Sequence, residues 1–481
     1  MKILLIVEET FYMDRLGILY LSYPLKRFNY DVKLAVFAKE GFPGIEQIMQ
    51  EYSPDIVGYS MMTGEYNTLN RVNKYLKNKF NFLSVFGGPH PTFYPDLIKE
   101  SHIDAICVGE GDIAFAEFCR RVKESDKYWQ TPGFYVKHNG NIFSNPLLSL
   151  VKDLDQLSFP DRKLMYEAQP DVYEDGTKVF ISSRGCPYSC SYCFNKKYND
   201  IYKNKSIVVR HRSPNNVIQE IDATKQEYGL RHVFFLDDIF TIKPKGWVEE
   251  FSTLYKQKID LPFSCHVRAN LVSDSEIKLL KNAGLNSVLI GIECGDERVS
   301  NEVLNRNLSN KIIFQAIQIL KKHDIKIWTH NLLGIPVKDS FEVGIKTLDM
   351  NLKIRPVYAH SGLLFPYPGT EIRKQSLRNN FLNENSVFFE THQKYSVFNF
   401  NKKEKSQIER LHYLFGLTVR FPFLRKIIRL LVKIPLSGFY FMIFYVWYGY
   451  NLKFKFFPMQ SWTKEIKKYV KLGEKILKKH N

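Results

Sequence analysis

Three cysteines near the middle of the chain have the spacing of iron–sulfur cluster ligands. Cys186, Cys190 and Cys193 form a C-x3-C-x2-C array within ISSRGCPYSCSYC, directly after a predicted strand. Cluster irons take thiolate ligands, and three thiolates leave one iron of a four-iron cluster open to a small molecule. A zinc site would need a fourth cysteine or histidine at matching spacing, which the neighbouring sequence does not offer. The array therefore predicts a [4Fe-4S] cluster with one open coordination position.

The length and the cysteine content indicate a cytoplasmic protein of several domains. A chain of 481 residues is too long for one ordinary core, so we expect two or three domains. Seven cysteines, an odd number, suit a metal site in a reducing compartment better than a disulfide framework. The N-terminus, MKILLIVEE, begins a strand at once and lacks a signal-peptide layout.

Positive charge is concentrated near the C-terminus. The formal net charge is +18, and residues 401–481 hold 18 lysines and arginines but only 4 acidic residues. Such asymmetry indicates contact with an anionic partner. A phospholipid surface, an acidic substrate and a nucleic acid all remain candidates at this point.

Alternating strands and helices indicate an α/β fold. Within residues 1–130, five predicted strands separated by amphipathic segments form a parallel, doubly wound sheet, whose ligands bind outside the carboxyl ends of the strands. Residues 131–175 read as a linker with a small hairpin near 134–143. From residue 176 to about 375, six strand–helix units predict a partial (β/α)6 barrel. Residues 376–481 form a helical, basic and aromatic region.

The cysteine array and the segments behind it resemble the radical S-adenosylmethionine superfamily over about residues 176–375. The matching segments follow in the usual order: FFLDDIF (234–240), CHVRANL (265–271), VLIGIECGDE (288–297), LNRNLS (304–309), HNLLGIP (330–336) and FPYPGTEI (365–372). The resemblance implies reductive cleavage of S-adenosylmethionine to a 5′-deoxyadenosyl radical, with reduced flavodoxin or ferredoxin as the electron donor. The residues that it implies at the S-adenosylmethionine site are Asp237, Asp238, Glu293 and Arg306.

The first domain resembles the cobalamin-binding branch of that superfamily. A G-x-G-x-x-G phosphate loop is absent, which argues against a dinucleotide. SMMT (60–63), GGPH (87–90) and GEGD (109–112) follow the third, fourth and fifth strands in the order usual for a Rossmann-like cobalamin domain. The alternative is that these glycines only close tight turns. The residues that the resemblance implies at the cobalamin site are Ser60, Thr63, Gly87, Gly88, His90 and Gly109.

One departure concerns the lower face of cobalt. Many cobalamin proteins carry Asp-x-His-x-x-Gly after the first strand, and the histidine ligates cobalt. Alignment on Gly17 puts Tyr12 at the aspartate position and Asp14 at the histidine position. We therefore expect cobalt without a protein imidazole below it, and His90 to contact the corrin edge or nothing.

An uncharged aromatic run, IPLSGFYFMIFYVWYGY, occupies residues 434–450 between basic flanks. It is short for a membrane span, which needs roughly twenty apolar residues. Two interpretations stay open: an interfacial helix with aromatic anchors on an anionic membrane, or a helix that packs over the barrel mouth. Both suit a hydrophobic substrate.

The leading hypothesis is a cobalamin-dependent radical enzyme that methylates an unactivated carbon of a hydrophobic or lipid-like small molecule. An oxidative cyclase or rearrangement enzyme acting on a tetrapyrrole-like or natural-product substrate is the first alternative. An RNA-modifying or RNA-binding protein is the second. The aromatic residues of the tail form one apolar run, whereas a nucleic-acid groove would interleave them with basic residues, so a nucleic-acid partner is not expected. The sequence assigns no catalytic side chain.

Overall fold

A computed structural model describes residues 1–9, 13–174, 176–383, 394–452 and 455. Its first sheet has the order β2-β1-β3-β4-β5-β6-β7, in which the first five strands are parallel and the last two form an antiparallel hairpin. The strands are β1 (Lys2–Val7), β2 (Asp31–Val36), β3 (Ile56–Ser60), β4 (Leu83–Gly87), β5 (Ala105–Cys107), β6 (Phe134–His138) and β7 (Asn141–Ser144).

The parallel part of this sheet is doubly wound, as predicted, with apolar cores on both faces. Its helices are α1 (Leu16–Arg27), α2 (Phe37–Tyr52), α3 (Tyr66–Lys77), α4 (Pro89–Phe93) and α5 (Gly111–Lys123). The strand order reverses between β1 and β3, and doubly wound sheets bind ligands at such a switch point. The loops after β1, β3 and β4 are therefore the expected cofactor edge.

The region predicted as a linker is more ordered than its sequence indicates. Its hairpin, β6–β7, adds two antiparallel strands beside β5, and two short helices follow, α6 (Arg162–Ala168) and α7 (Pro170–Glu174). Pairing with β5 satisfies the backbone groups of a hairpin that would be only marginally stable alone.

The second sheet forms the predicted partial barrel. Six parallel strands pair in the order β8-β11-β12-β13-β14-β15, so β8 and β15 are its edges. The strands are β8 (Thr177–Phe180), β11 (His232–Phe235), β12 (Phe263–Val267), β13 (Leu285–Glu293), β14 (Lys326–Leu333) and β15 (Tyr358–Leu363). Between β8 and β11 lies a small antiparallel pair, β9 (Ser183–Arg184) and β10 (Arg210–His211).

Helices cover the outside of the barrel and its C-terminal side. Those of the barrel are α8 (Phe194–Tyr202), α9 (Pro214–Tyr228), α10 (Trp247–Lys258), α11 (Asp274–Ala283), α12 (Glu297–Glu302), α13 (Asn310–Lys322), α14 (Ser340–Ile354) and α15 (Glu371–Arg378). Three more follow: α16 (Lys402–Arg420), α17 (Ile428–Leu431) and α18 (Ser437–Asn451). Among the described residues, every helix falls short of the length and apolar content that a membrane span requires.

Candidate active site

The three cysteines of the array lie together on the wall of one cavity. The loop between β9 and α8 carries them at the carboxyl end of the barrel, and all three line a cavity of about 430 Å³. Gly185 starts this loop at φ +90°, where a Cβ atom would come within 2.4 Å of the Val208 carbonyl oxygen. Only glycine therefore suits the turn that aims the cysteines inward.

The environment of the thiols fits an iron–sulfur cluster. All are free, and Arg268 Nη1 donates to the Cys190 Sγ at 3.9 Å. Burial raises the pKa of Cys186 to about 11 and that of Cys193 to about 12. Iron ligation requires the thiolate, so binding of the cluster would release these protons. Within the described residues, no group of three or more His, Cys, Asp or Glu side chains is arranged around a single-ion position.

Glu293 and Arg306 face the same cavity as an ion pair. Glu293 ends β13 in a left-handed conformation, φ +62°, where the register between β13 and β14 shifts. Arg306 Nη1 lies 3.1 Å from Glu293 Oε1 and donates to the Tyr192 hydroxyl at 2.9 Å. Burial raises the pKa of Glu293, and the Arg306 guanidinium opposes that shift. Strain and a buried charge pair at a cavity wall are typical of ligand sites.

One polar group of this pair still lacks a partner. Among the described residues, the buried Nε of Arg306 makes no hydrogen bond, while its Nη2 donates to the Gly291 carbonyl at 2.6 Å. An orphaned guanidinium nitrogen next to a carboxylate suits a ligand with both charges, such as the amino and carboxylate groups of S-adenosylmethionine. Glu293 and Arg306 thus could hold that cofactor.

Arg268 was not singled out in the sequence, although it lies within CHVRANL. Its guanidinium stacks on the Tyr188 ring at 3.8 Å and also donates to the Arg306 carbonyl oxygen. It therefore joins the cysteine loop to the Glu293–Arg306 pair. Its place at the carboxyl end of a barrel strand is the signal that could have identified it.

The two consecutive aspartates, Asp237 and Asp238, have different surroundings in the structure. Asp237 does not reach the cavity: its carboxylate accepts hydrogen bonds from the Ser182 backbone and hydroxyl and from the Ser183 hydroxyl, and it pairs with Lys243 at 3.1 Å. Burial alone would raise the pKa of Asp237, but Lys243 and the serines hold it below its usual value. These bonds fix the strand end that leads to the cysteines, so we assign Asp237 a positioning role and not the cofactor contact that the sequence implies.

Asp238, by contrast, lines the cavity beside the cysteines. It accepts a hydrogen bond from Asn195 Nδ2 at 2.8 Å, and burial raises its pKa. A carboxylate with capacity to accept a further bond fits an ammonium group. Of the two aspartates, Asp238 is the one that could contact S-adenosylmethionine.

The residues predicted at the cobalamin site come together at the carboxyl edge of the first sheet. Ser60 ends β3 and Thr63 lies in the loop after it. Gly87 ends β4, Gly88 comes next, and His90 lies in α4. The His90 Nδ1 lies 3.1 Å from the Thr63 hydroxyl, and burial lowers the pKa of His90 to about 4. The imidazole is therefore neutral and bound to its neighbouring loop.

Gly88 allows these two loops to touch. It has φ +95°, and a Cβ atom there would lie 2.8 Å from the Met61 carbonyl oxygen and 2.9 Å from the Met61 nitrogen. Met61 in turn donates its N–H to the Gly87 carbonyl at 3.0 Å. The bare backbone forms the kind of narrow edge to which a nucleotide tail can approach closely, so the loops fit cobalamin.

This edge faces the cysteine loop. Phe93, at the end of α4, packs against Phe194, which directly follows Cys193, with ring centroids 5.6 Å apart. Gly109 lies where the loop after β5 meets α8, because a Cβ atom there would overlap the Tyr202 hydroxyl at 2.1 Å. Two cofactors held by these loops would therefore be neighbours.

Asp14, which the alignment on Gly17 puts at the histidine position of the Asp-x-His-x-x-Gly motif, is engaged elsewhere. Its carboxylate pairs at 2.5 Å with Arg162, whose other Nη atom lies 2.9 Å from Glu220. All three side chains are almost completely buried, and Arg162 also donates to the Val179 carbonyl at 2.7 Å. The network ties the β1–α1 loop to the barrel. Tyr12, at the aspartate position, lies outside the described residues.

The comparisons agree with this architecture. Residues 180–343 match the Radical SAM superfamily and residues 3–119 match the B12 binding domain. The chain is 29% identical over 381 residues to the uncharacterized methyltransferase PH0819 of Pyrococcus horikoshii, covering 76% of this chain and 79% of that protein. It is 26% identical over 368 residues to the anaerobic magnesium-protoporphyrin IX monomethyl ester cyclase of Rubrivivax gelatinosus, covering 73% and 64%.

A solved structure shares the fold. The radical S-adenosylmethionine methyltransferase TsrM from Kitasatospora setae, determined with cobalamin and a [4Fe-4S] cluster bound, superposes with a TM-score of 0.64 at 13% identity over 80% of this chain and 76% of that one. The barrel and its cysteine loop define a radical S-adenosylmethionine enzyme. A B12 binding domain precedes that barrel, so the chain carries the two domains that cobalamin-binding radical S-adenosylmethionine enzymes combine. Its cofactors are a [4Fe-4S] cluster, S-adenosylmethionine and cobalamin.

Replacement of Glu293 by glutamine is expected to weaken the use of S-adenosylmethionine while the cluster remains. Glutamine keeps the shape of the side chain but loses the charged acceptor, and bonds to charged groups contribute about 1.5–3 kcal/mol. We expect the affinity for S-adenosylmethionine to fall roughly tenfold to a hundredfold, measured by equilibrium dialysis beside iron content and 5′-deoxyadenosine formation. Glu302→Gln, on an exposed residue of α12, is the control. Unchanged affinity in Glu293→Gln would show that the carboxylate serves only the structure.

Proposed function

We propose that this chain is a cobalamin-dependent methyltransferase that transfers a methyl group to an unactivated carbon of a hydrophobic small molecule. The observation that carries the proposal is the contact between the two cofactor loops, made by Phe93 and Phe194. When bound, the cluster supplies the electron that cleaves S-adenosylmethionine, and cobalamin supplies a methyl group. The methyltransferase relatives support the transfer reaction.

The chain's own residues position and shield the reacting groups. Arg306, Glu293 and Asp238 would orient the methionine part of S-adenosylmethionine on the side of the cavity next to the cysteines. Fixed orientation of reactants supplies much of the rate enhancement in such a site. The enclosing barrel limits the access of water, which would otherwise compete for a reactive radical.

The rest of the cavity supports an uncharged substrate. Beyond the charged residues and the cysteines, the lining consists mainly of aliphatic and aromatic side chains. Its other polar members are two asparagines, Asn195 and Asn331, and three histidines, His266, His330 and His360. Burial lowers the pKa of both His266 and His330, the latter well below its usual value, so these two imidazoles are neutral. A neutral, mostly apolar wall favours a hydrophobic substrate.

The choice between methylation and ring formation can be measured with labelled cofactor. The reduced holoenzyme is incubated with methyl-labelled S-adenosylmethionine and a total lipid extract in detergent micelles, and products are followed by mass spectrometry. We expect a labelled methyl group in the product and formation of both S-adenosylhomocysteine and 5′-deoxyadenosine. Product with 5′-deoxyadenosine but no label and no S-adenosylhomocysteine would replace methylation by cyclisation or rearrangement.

The cluster needs an external electron, and the charge of the chain supports an acidic redox protein as its source. We propose reduced flavodoxin or ferredoxin, since both are acidic one-electron donors and the chain carries a net charge of +18. A stopped-flow measurement of cluster reduction that slows as salt rises supports this donor class.

A further inference from the structure

The C-terminal helix α18 has an inner face that belongs to the barrel. The Phe444 and Tyr448 rings lie 6.3 and 5.4 Å from the ring of His360, which lines the cavity. Tyr448 also lies 6.1 Å from Trp328 on β14. One side of the aromatic run therefore packs on the barrel beside its edge strand β15, although no residue of α18 is part of the cavity lining itself.

The outer face of the same helix is apolar and exposed. Phe439, Met442, Val446 and Tyr450 recur at spacings of three and four residues, which places them on one side of a helix. The first three side chains are 52%, 55% and 69% exposed. A contiguous apolar face of this kind on a folded protein marks an interaction site.

The segment before α18 extends this face. Phe421 lies 6.1 Å from Trp447, ring to ring, which makes the two segments continuous. Arg410 holds the intervening turn by donating to the Val432 carbonyl and to the Ser437 hydroxyl, each at 3.0 Å. The exposed apolar side chains of this segment are Phe421, Phe423, Ile427, Leu430, Ile434 and Leu436.

The charged residues of this segment itself are all basic. No aspartate or glutamate occurs between Glu409 and Glu465. Arg425 and Arg429 pair with acids of α14 and so anchor the segment to the barrel. Lys426 and Lys433 are exposed, and among the described residues they form no ion pair. Free cations beside exposed apolar groups are complementary to an anionic lipid surface.

We propose that residues 421–450 form a bilayer-docking surface that binds the interface of an anionic membrane. The outer side chains of α18 would enter the boundary between headgroups and acyl chains, and Lys426 and Lys433 would contact lipid phosphates. A second copy of the chain suits this surface less well, because two such faces would bring like charges together.

Docking at this surface also gives a route for the substrate. Because the inner face of α18 contacts His360 in the cavity wall, a lipid-dissolved substrate would meet the barrel at this helix. That route rests on the proposed function, whereas docking itself does not depend on it.

The test is flotation of the full-length holoenzyme with vesicles. We expect it to float with phosphatidylglycerol–phosphatidylcholine vesicles at low salt and to dissociate as salt rises. The double variant Met442→Glu/Val446→Glu should lower the bound fraction at least about tenfold, and Lys426→Ala/Lys433→Ala should lower it for anionic vesicles. Ile113→Glu, a similarly exposed helical side chain in the first domain, should leave binding unchanged.

Three outcomes would overturn the proposal. The first is wild-type protein that stays in the soluble fraction at low salt. The second is Met442→Glu/Val446→Glu protein that floats as the wild type does. The third is that this double variant loses a homodimer, measured by light scattering, and does not lose vesicle binding. Formation of 5′-deoxyadenosine is measured on the same preparations. It tests the fold of each variant and the radical chemistry separately from docking.

Discussion

Protein in which Cys186, Cys190 and Cys193 are all replaced by alanine is expected to be colourless and to form no 5′-deoxyadenosine. The wild-type protein, purified without oxygen, should be brown and bind about four irons per chain. Each thiolate ligates one iron, and the three line one cavity wall, so their removal leaves no anchored cluster. Iron analysis, visible absorbance and chromatography of 5′-deoxyadenosine provide the measurements.

A matched control is available in the same barrel. Cys265 lies on β12, is completely buried and does not line the cavity. Cys265→Ala removes one buried thiol without touching the array, so its iron content and absorbance should remain those of the wild type. A triple variant that retains a full cluster would refute the assignment of these cysteines.

Replacement of Gly88 by valine is expected to abolish cobalamin binding while the iron–sulfur cluster stays intact. A left-handed non-glycine residue alone costs about 1–3 kcal/mol, and the added side chain overlaps the Met61 backbone. Valine would therefore separate the two loops that are expected to hold the nucleotide tail. Cobalt and iron are determined on the same anaerobic sample after reconstitution with cobalamin.

The control for backbone strain is Gly140→Val. Gly140 has φ +77°, yet no atom lies within 4 Å of the Cβ position, and it lies in the turn between β6 and β7. Gly140→Val introduces the backbone strain of a left-handed valine but no overlap with a neighbouring loop, so this variant should still bind cobalamin. Stoichiometric cobalamin in Gly88→Val would remove these loops from the cofactor site.

The same sample reports on the lower face of cobalt. Because Asp14 occupies the histidine position and is paired with Arg162, we expect the electron paramagnetic resonance spectrum of Co(II) to show no nitrogen splitting. Splitting that disappears in His90→Ala would assign the lower ligand to His90 and contradict this expectation. Failure of the wild-type protein to bind any cobalamin would remove the methyl-transfer proposal.

Much of the architecture follows from local sequence patterns. The apolar, β-branched run at the N-terminus predicts β1. The pattern of residues 214–228 predicts a helix, and α9 has these bounds in the structure. Such elements depend on near neighbours in the chain, so periodicity and turn residues are sufficient to locate them. The hairpin β6–β7 is different, since its place beside β5 depends on long-range pairing.

The residues of the site also divide into those that local sequence predicts and those that depend on tertiary contacts. The cysteine spacing and Gly88 are local requirements of a ligand loop and of a tight turn, and the sequence alone was sufficient to predict them. The sequence alone does not distinguish the roles of Asp237 and Asp238, because two adjacent acids are equivalent until their partners are known. Asp237 is hydrogen-bonded to Ser182 and paired with Lys243, whereas Asp238 lines the cavity.

The sequence by itself thus determined the cofactor class and the alternation of strands and helices along the chain, and it predicted the segments that supply the site. Only the tertiary structure decided which side chains reach the cavity, that Asp14 is paired with a residue 148 positions away, and that α18 covers the barrel with one face while it exposes the other. The physical reason is that motif spacing and periodicity are properties of neighbouring residues. Burial, ion pairing and exposure are set by contacts between segments distant in the chain.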